Sequence, residues 1–312
     1  MLAVKIGILA YLQADTPPAV RIGQKRKGEK MIPKFGVAGV PVNYKGKTSG
    51  FFDWLTGMNL NAYEVQCTFG FKMSDKNKEM ILKAQNNGFF ISIHGPYYIN
   101  LGSLNETSVE RSIDILKQGI ELAKSINCTR IIFHPGGGHE NTEQGRIEAI
   151  KRIINHLNVV TSEVDMGEVK LYPEIGGKTA NLGSLDEIIE ICKECKYAYP
   201  CIDIAHLHAR ELGSITSKEI LMQKLLKLKQ NLPTKFNEVH FHAYTINYGD
   251  KGEIKHLVHG EDMPNGSEGL PNLDWFVECL HELNLEPWVI SEAHDSQEIG
   301  AKYMRDKYFE GI

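Results

Sequence analysis

The sequence is sparing in the features that would place it in a special class at once. Its 6 cysteines are spread over 312 residues, too few for the disulfide framework of a small secreted domain. With 12 prolines and 29 glycines, neither a low-complexity nor a collagen-like chain is in question. No apolar run approaches the roughly 20 residues of a membrane span. Lys5 interrupts the opening MLAVKIGILAYLQAD, and no small-residue cleavage site follows it. Neither sign of charge dominates, since 35 basic against 39 acidic residues leave a formal −4, so nothing marks an overall nucleic-acid binder. The expectation is a cytoplasmic chain with reduced thiols and no membrane partner.

What is present is an ordinary globular composition, 42% hydrophobic and 24% charged, in a chain long enough to bury a large core. Strands are predicted over 34–40, 62–68, 89–95, 130–136, 169–175, 200–206, 238–244 and 287–293, each bounded by turn or loop residues. Between them apolar residues recur every three or four positions, as at Val109, Ile113, Leu116, Ile120 and Ala123. Helices are predicted near 75–87, 105–126, 143–163, 184–196, 216–230, 271–284 and 295–309. Eight such rounds predict one parallel (β/α)8 TIM barrel over residues 31–312, because right-handed crossovers put the helices outside and closure removes both sheet edges. An open doubly wound sheet is the runner-up. Residues 1–30 fall outside the count and are read as an extension packed on the barrel. Their RIGQKRKGEK segment, five basic residues in ten, is read as a solvated arm rather than a phosphate contact. The connection 244–271 carries little regular pattern and is read as a functional loop.

The chemistry lies where polar residues fall. His94, His134, Glu174, Asp203, His206, His240 and Glu292 each sit at or just past the carboxyl end of a predicted strand, and in a barrel those ends meet at the face that carries active sites. A lone histidine there is more often a hydrogen-bonded structural residue; the convergence of seven is what points to metal. Imidazoles and carboxylates without thiolates suit zinc, manganese or iron. Seven donors exceed the three or four that one tetrahedral zinc takes, so a multinuclear centre is predicted, with positions open to water and substrate. His256 and His259 in the long connection could add to it. Glu64, mid-strand in AYEVQC, is left as either a barrel-interior residue or a ligand. His139, His156, His208, His281 and His294 are read as surface or loop residues. Cys192 and Cys195 form a CxxC on a helical pattern with no second pair to complete a zinc site, and are read as one buried and one exposed thiol.

The segments SIHGPYYINL, IIFHPGG, PEIGGKTANLGS, CIDIAH, VHFHAY and VISEA, in that order, resemble the endonuclease IV family of abasic-site endonucleases. The resemblance covers about residues 31 to 312 and implies a barrel with up to three zinc ions, manganese being the alternative metal. It implies that His94 and His134 hold one ion and that Glu174 bridges to a second, completed by Asp203, His240 and Glu292. His206 would hold a third with His256, since HLVHGED matches the family's His-x-x-x-Gly-Glu spacing; His259 is the alternative. The sequence departs from the family at Ile254, where an aspartate is expected, with Glu253 as the candidate substitute. It departs again at His242-Ala243, where Asn-Asp follows the strand-seven histidine in the family. Strand alternation is taken to turn only one of His240 and His242 inward, and His240 is chosen. The stretch 261–271 reads as an insertion beside the site.

The activity so implied is metal-dependent cleavage of damaged double-stranded DNA 5′ to abasic sites, with Glu174 or Glu292 orienting the attacking hydroxide. Tyr97 matches a family tyrosine that fills the duplex. Phe69, Phe71, Lys45 and Lys72, on the loops after strands one and two, would stack on bases and meet phosphates. A monomer is expected, and no nucleotide cofactor, because PGGG and EIGGK fit neither phosphate-binding glycine pattern. The strongest rival is a single-metal sugar isomerase or epimerase of the related barrel family, which would use Glu174, Asp203, His240 and Glu292. It leaves His94, His134, His206 and His256 without a task. A barrel that binds abasic DNA without cutting it ranks third.

Overall fold

All eight predicted strand runs form strands, and they pair in parallel around one ring. The computed structural model describes residues 32–137, 142–260 and 269–311. In chain order the strands are β1 (Lys34–Ala38), β2 (Ala62–Gln66), β3 (Phe90–His94), β4 (Arg130–Phe133), β5 (Lys170–Pro173), β6 (Cys201–Asp203), β7 (His240–His242), β8 (Ile246–Gly249), β9 (Gly252–His256) and β10 (Trp288–Ser291). Eight of them form one sheet in the order β5-β4-β3-β2-β1-β10-β7-β6. Parallel bridges from Leu171 to Ala198 and from Glu174 to Cys201 tie the two ends of that order together. The sheet is therefore a barrel, and the open doubly wound alternative is excluded.

The helices are α1 (Phe51–Gly57), α2 (Asp75–Asn86), α3 (Glu106–Ser125), α4 (Glu143–Glu163), α5 (Leu185–Glu194), α6 (Ile204–Arg210), α7 (Lys218–Asn231), α8 (Leu273–Glu282) and α9 (Gln297–Glu310). Ser74, Asn105, Thr142, Ser184, Ser217 and Asn272 each accept a backbone N–H from the first turn that follows, satisfying donors that a helix start leaves orphaned. Helix α3 buries Val109, Leu116, Ile120 and Ala123 against the barrel, with Ile113 at the margin. The sequence pattern misses α1 and α6, because two turns of helix are too short for a 3.6-residue period to register. Among the described residues no helix is long and apolar enough to cross a membrane.

Several expectations need correction. The connection after β7 is not patternless: β8 and β9 pair as an antiparallel hairpin with a bulge at Asn247/Tyr248. Cys195 is as buried as Cys192, since it closes the end of α5 against the core. His208 is likewise buried, its Nδ1 accepting the Ile215 N–H at 3.1 Å. The extension 1–30, its basic segment, His139 and residues 261–268 of the insertion lie outside the described residues.

The barrel is tight where β1 meets β2. Gly36 pairs with Ala62, and a Cβ at Gly36 would lie 1.9 Å from the Ala62 carbonyl oxygen. Backbone must move to admit it, so Gly36→Ala is expected to cost about 1–3 kcal/mol, read as a lowered midpoint in denaturant unfolding. An unchanged midpoint would contradict the tight β1–β2 packing.

Candidate metal centre

Glu174, one residue beyond β5, is fully buried and surrounded by imidazoles. Its Oε2 lies 2.9 Å from His94 Nε2 at the end of β3 and 3.6 Å from His134 Nε2 just past β4. Its Oε1 lies 3.0 Å from His242 Nδ1 and 3.5 Å from His206 Nδ1. A buried carboxylate is costly unless paired or bound to a cation, and here both oxygens are shared among four rings.

Asp203 ends β6 and begins α6 at once. Its Oδ1 accepts the His206 N–H at 2.6 Å as the helix cap, so the strand predicted to reach 206 stops at 203 and His206 stands on the first turn of a helix. Asp203 Oδ2 lies 3.1 Å from His206 Nδ1 and accepts the Tyr244 hydroxyl at 2.8 Å. Glu292, just past β10, brings Oε1 to 3.8 Å from His242 Nδ1.

The hairpin supplies a further pair. Glu253 N–H donates to the Gly177 carbonyl at 3.0 Å, which ties β9 to the loop after β5. Glu253 Oε2 then lies 3.4 Å from His206 Nε2, and Oε1 lies 3.4 Å from His256 Nε2. A Cβ at Gly177 would come within 2.6 Å of the His206 ring and 2.5 Å of Glu253 Oε2, so the approach requires glycine. His256 Nδ1 donates to the Glu292 carbonyl at 2.9 Å, so Nε2, 3.1 Å from the Tyr244 hydroxyl, is the nitrogen that could ligate.

Of five overlapping donor groups among the described residues, two are wholly buried, Glu64 with His240 and His242 and Glu174 with Cys201 and His242, and three include a partly exposed member: His94, His134 and Glu174; Glu174, Asp203, His242 and Glu292; and His206, Glu253 and His256. Each of these last three has the composition of a site for a borderline or hard divalent cation, without thiolate. They open on a cavity of about 620 Å³ that His94, His134, His206, Glu253, His256 and Glu292 help to line.

His240, expected at the mouth, is not there. Residues two apart on a strand point to the same side, so His240 and His242 both face inward and differ in depth. His242 pairs with Asp203, level with the donor sets, while His240 pairs with Cys201 one step deeper. There His240 Nε2 lies 3.0 Å from Glu64 Oε2. His259 also stands apart, its ring packed on Tyr303 and its N–H on Ser296 Oγ. Among the residues expected to face DNA, Tyr97 and Phe69 are 71% and 89% exposed, and Lys45 and Lys72 are exposed. Phe71 does not face outward: it is buried in the core, its ring filling the space beside Gly119. Glu64, left unassigned, and Glu253, named only as a substitute, both belong to this polar assembly.

Burial alone would raise Glu174, yet His134 and His242 opposite it, with hydrogen bonds from His206 and His242, hold it well below the usual carboxylate range. Burial disfavours charge on His94 and His206 too, but Glu174 beside His94 pushes it up to about 9. Asp203 and Glu174 push His206 up to about 10. Glu253 overcomes its burial through His256 and His206 and falls to about 2. Asp203, with burial dominant, rises to about 6. The metal-free centre thus holds extra protons on His94 and His206, nitrogen donors that a cation would need, while burial lowers His134.

The fold and this constellation define a barrel whose mouth gathers several sets of metal-ligand side chains around one shared carboxylate. The chain belongs to the xylose isomerase-like TIM barrel family, whose sequence model matches residues 52–308. It is 32% identical over 249 residues to an uncharacterized protein of Methanocaldococcus jannaschii, covering 78% of this chain and 87% of that one. A probable endonuclease 4 of Halothermothrix orenii is 27% identical over 168 residues, 50% of this chain and 59% of the relative. Among solved structures, a D-tagatose 3-epimerase-like protein aligns with a TM-score of 0.66 at 20% identity, over 89% of this chain and 98% of that one. Endonuclease IV from Thermus thermophilus aligns at 0.62 and 16% identity, over 89% and 100%. These structures establish the fold and stand about equally near two different chemistries.

Cations and protons compete for the same lone pairs, which fixes a pH dependence. Zinc affinity of the metal-free chain, measured by competition with a chelator, is expected to rise with pH and level off as the values near 9 for His94 and 10 for His206 are passed. The slope below that range is about tenfold per pH unit for each proton displaced. An affinity independent of pH would contradict the protonation pattern.

Proposed function

We propose that this chain is a metal-dependent phosphodiesterase of the endonuclease IV type, cutting duplex DNA 5′ to abasic sites with zinc at the three donor sets. The supporting observation is the number of sets. A sugar epimerase, the chemistry suggested by the other structural neighbour, needs the single set formed by Glu174, Asp203, His242 and Glu292. It gives no task to His94 and His134 on one side or to His206, Glu253 and His256 on the other.

Divalent cations held by these groups supply Lewis acidity, both for activating water and for neutralising the oxygen that departs from phosphorus. The chain's own residues do the rest. Glu174 offers one oxygen to the His94–His134 side and the other to the His242–His206 side, and so fixes the spacing of two sets through one rigid group. Glu292, with its side chain 15% exposed, faces the cavity and is the carboxylate placed to orient an attacking water. Glu253 takes the part that the missing aspartate leaves open, and its anchored backbone compensates for a side chain one methylene longer.

Substrate would be held by the rim. Tyr97 and Phe69 stand out from the loops after β3 and β2, with Lys72 exposed on the same loop as Phe69 and Lys45 on the loop after β1. Exposed aromatics next to lysines suit a wedge into a duplex with phosphate contact alongside. An abasic nucleotide is the cheapest to turn out of the stack, which gives the cavity its selectivity.

A duplex carrying one tetrahydrofuran abasic analogue tests the reading. Nicking is expected on its 5′ side and is expected to stop with chelator. Glu174→Gln and Glu292→Gln should each reduce it by more than the roughly 10–100-fold that outer-shell partners of a metal are worth, with folding intact by circular dichroism. Full activity in Glu174→Gln, or nicking insensitive to chelator, would defeat the proposal.

A further inference from the structure

The barrel interior holds a line of polar side chains of which Arg130, His240 and Glu64 have no role in the proposed activity. Arg130 Nη1 lies 3.5 Å from His240 Nδ1, and His240 Nε2 lies 3.0 Å from Glu64 Oε2. Glu64 Oε1 lies 3.1 Å from His242 Nε2, whose Nδ1 in turn lies 3.0 Å from Glu174 Oε1. Glu64, His240 and His242 are fully buried, and a buried network is stable only when its members are satisfied.

Donor and acceptor chemistry fixes the direction of this line. A guanidinium has N–H donors and no acceptor, so His240 Nδ1 must accept from Arg130. The His240 proton therefore sits on Nε2 and is donated to Glu64 Oε2, which also accepts the Ser92 hydroxyl at 2.9 Å. Oε1 accepts the Gln66 amide at 3.4 Å and keeps a second lone pair for His242 Nε2. That nitrogen makes no well-directed hydrogen bond among the described residues, and Glu64 Oε1, off the N–H axis, is the carboxylate oxygen beside it. In the metal-free chain Nδ1 donates to Glu174 Oε1; once a cation displaces that proton, the one kept at Nε2 leaves Nδ1 as the lone-pair nitrogen. Nδ1 is the atom that faces Glu174, with Glu292 Oε1 at 3.8 Å and Asp203 Oδ2 at 3.9 Å.

We infer that Glu64, backed by His240 and Arg130, is a positioning residue that sets the imidazole tautomer of His242 so that Nδ1 ligates a cation in the set with Glu174, Asp203 and Glu292. The inference rests on the metal reading proposed above. Glu64, His240 and His242 are also close enough to hold an ion themselves. However, the guanidinium at the His240 end and the hydroxyl hydrogen of Ser92 on Glu64 present positive charge to that space. These neighbours fit a positioning line and disfavour a further cation.

The test is zinc affinity by competition with a chromophoric chelator, on metal-free wild-type and variant chains whose thermal midpoints are checked first. Glu64→Gln keeps the shape but offers one carbonyl oxygen to two imidazole N–H groups. It is expected to weaken one zinc per chain by roughly 10–100-fold, with the metal-free midpoint near wild type. Adding His240→Leu removes the competing donor, and the double variant is expected to recover most of the loss, a rescue that a merely structural role for Glu64 would not produce. Unchanged affinity in Glu64→Gln, or a loss the second substitution does not reverse, overturns the inference. If Glu64→Gln does not fold, Arg130→Met reads the same line from its outer end: weaker zinc binding supports it and unchanged binding overturns it. A wild-type chain that takes up no zinc would defeat the metal reading itself, and the inference with it; wild-type binding matched by the variants defeats the positioning claim alone.

Discussion

One buried carboxylate organises this molecule. Glu174 has no exposure and four imidazoles within 3.6 Å of its two oxygens. An ionised group so placed costs several kcal/mol unless compensated, and every neighbouring element contributes to the compensation: β3 through His94, the loop after β4 through His134, α6 through His206 and β7 through His242. The barrel supplies what such convergence needs, because parallel strands end at a common face while their helices stay outside. Closure occurs at the same place, since Glu174 is bridged to Cys201 where the two ends of the sheet meet.

The centre grades in depth from structural to chemical. At its base Arg130, His240, Glu64 and Ser92 form a hydrogen-bonded layer. Above it lie the shared carboxylate and its rings, and above these Glu292, Glu253 and His256 reach the cavity. The hairpin β8–β9 is the least barrel-like part, and it carries the set in which this sequence departs most from the endonuclease pattern. On the proposed function Glu253 would replace an aspartate there, its backbone being pinned to Gly177.

The ring of strands and most of its helices were legible in the sequence, because each strand run is bounded by turn residues and each long helix carries an apolar stripe. The strand-end positions of His94, His134, Glu174, Asp203 and Glu292 followed from the same reading. The choice between His240 and His242 did not. Period two puts both inward, and only the register of β7 against β6, with His242 beside Asp203, decides which is level with the donors. Phe71 and Phe69 lie two residues apart on a loop, where no period tells core from surface, and they go opposite ways. Glu64 was ambiguous because its partners, His240 and His242, are far along the chain. The hairpin escaped because Gly249 and Gly252 flank strands too short and too polar to show alternation.

On the proposed function these side chains gather more than one cation around Glu174. Crystals of zinc-loaded protein measured at the zinc absorption edge test it most directly, through anomalous difference peaks. Separate peaks are expected on either side of Glu174, one beside His94 and His134 and one beside His242, Asp203 and Glu292, with a third between His206, Glu253 and His256. A single peak at the His242 set, with the other donors unligated, would contradict it and favour the single-metal chemistry of the epimerases.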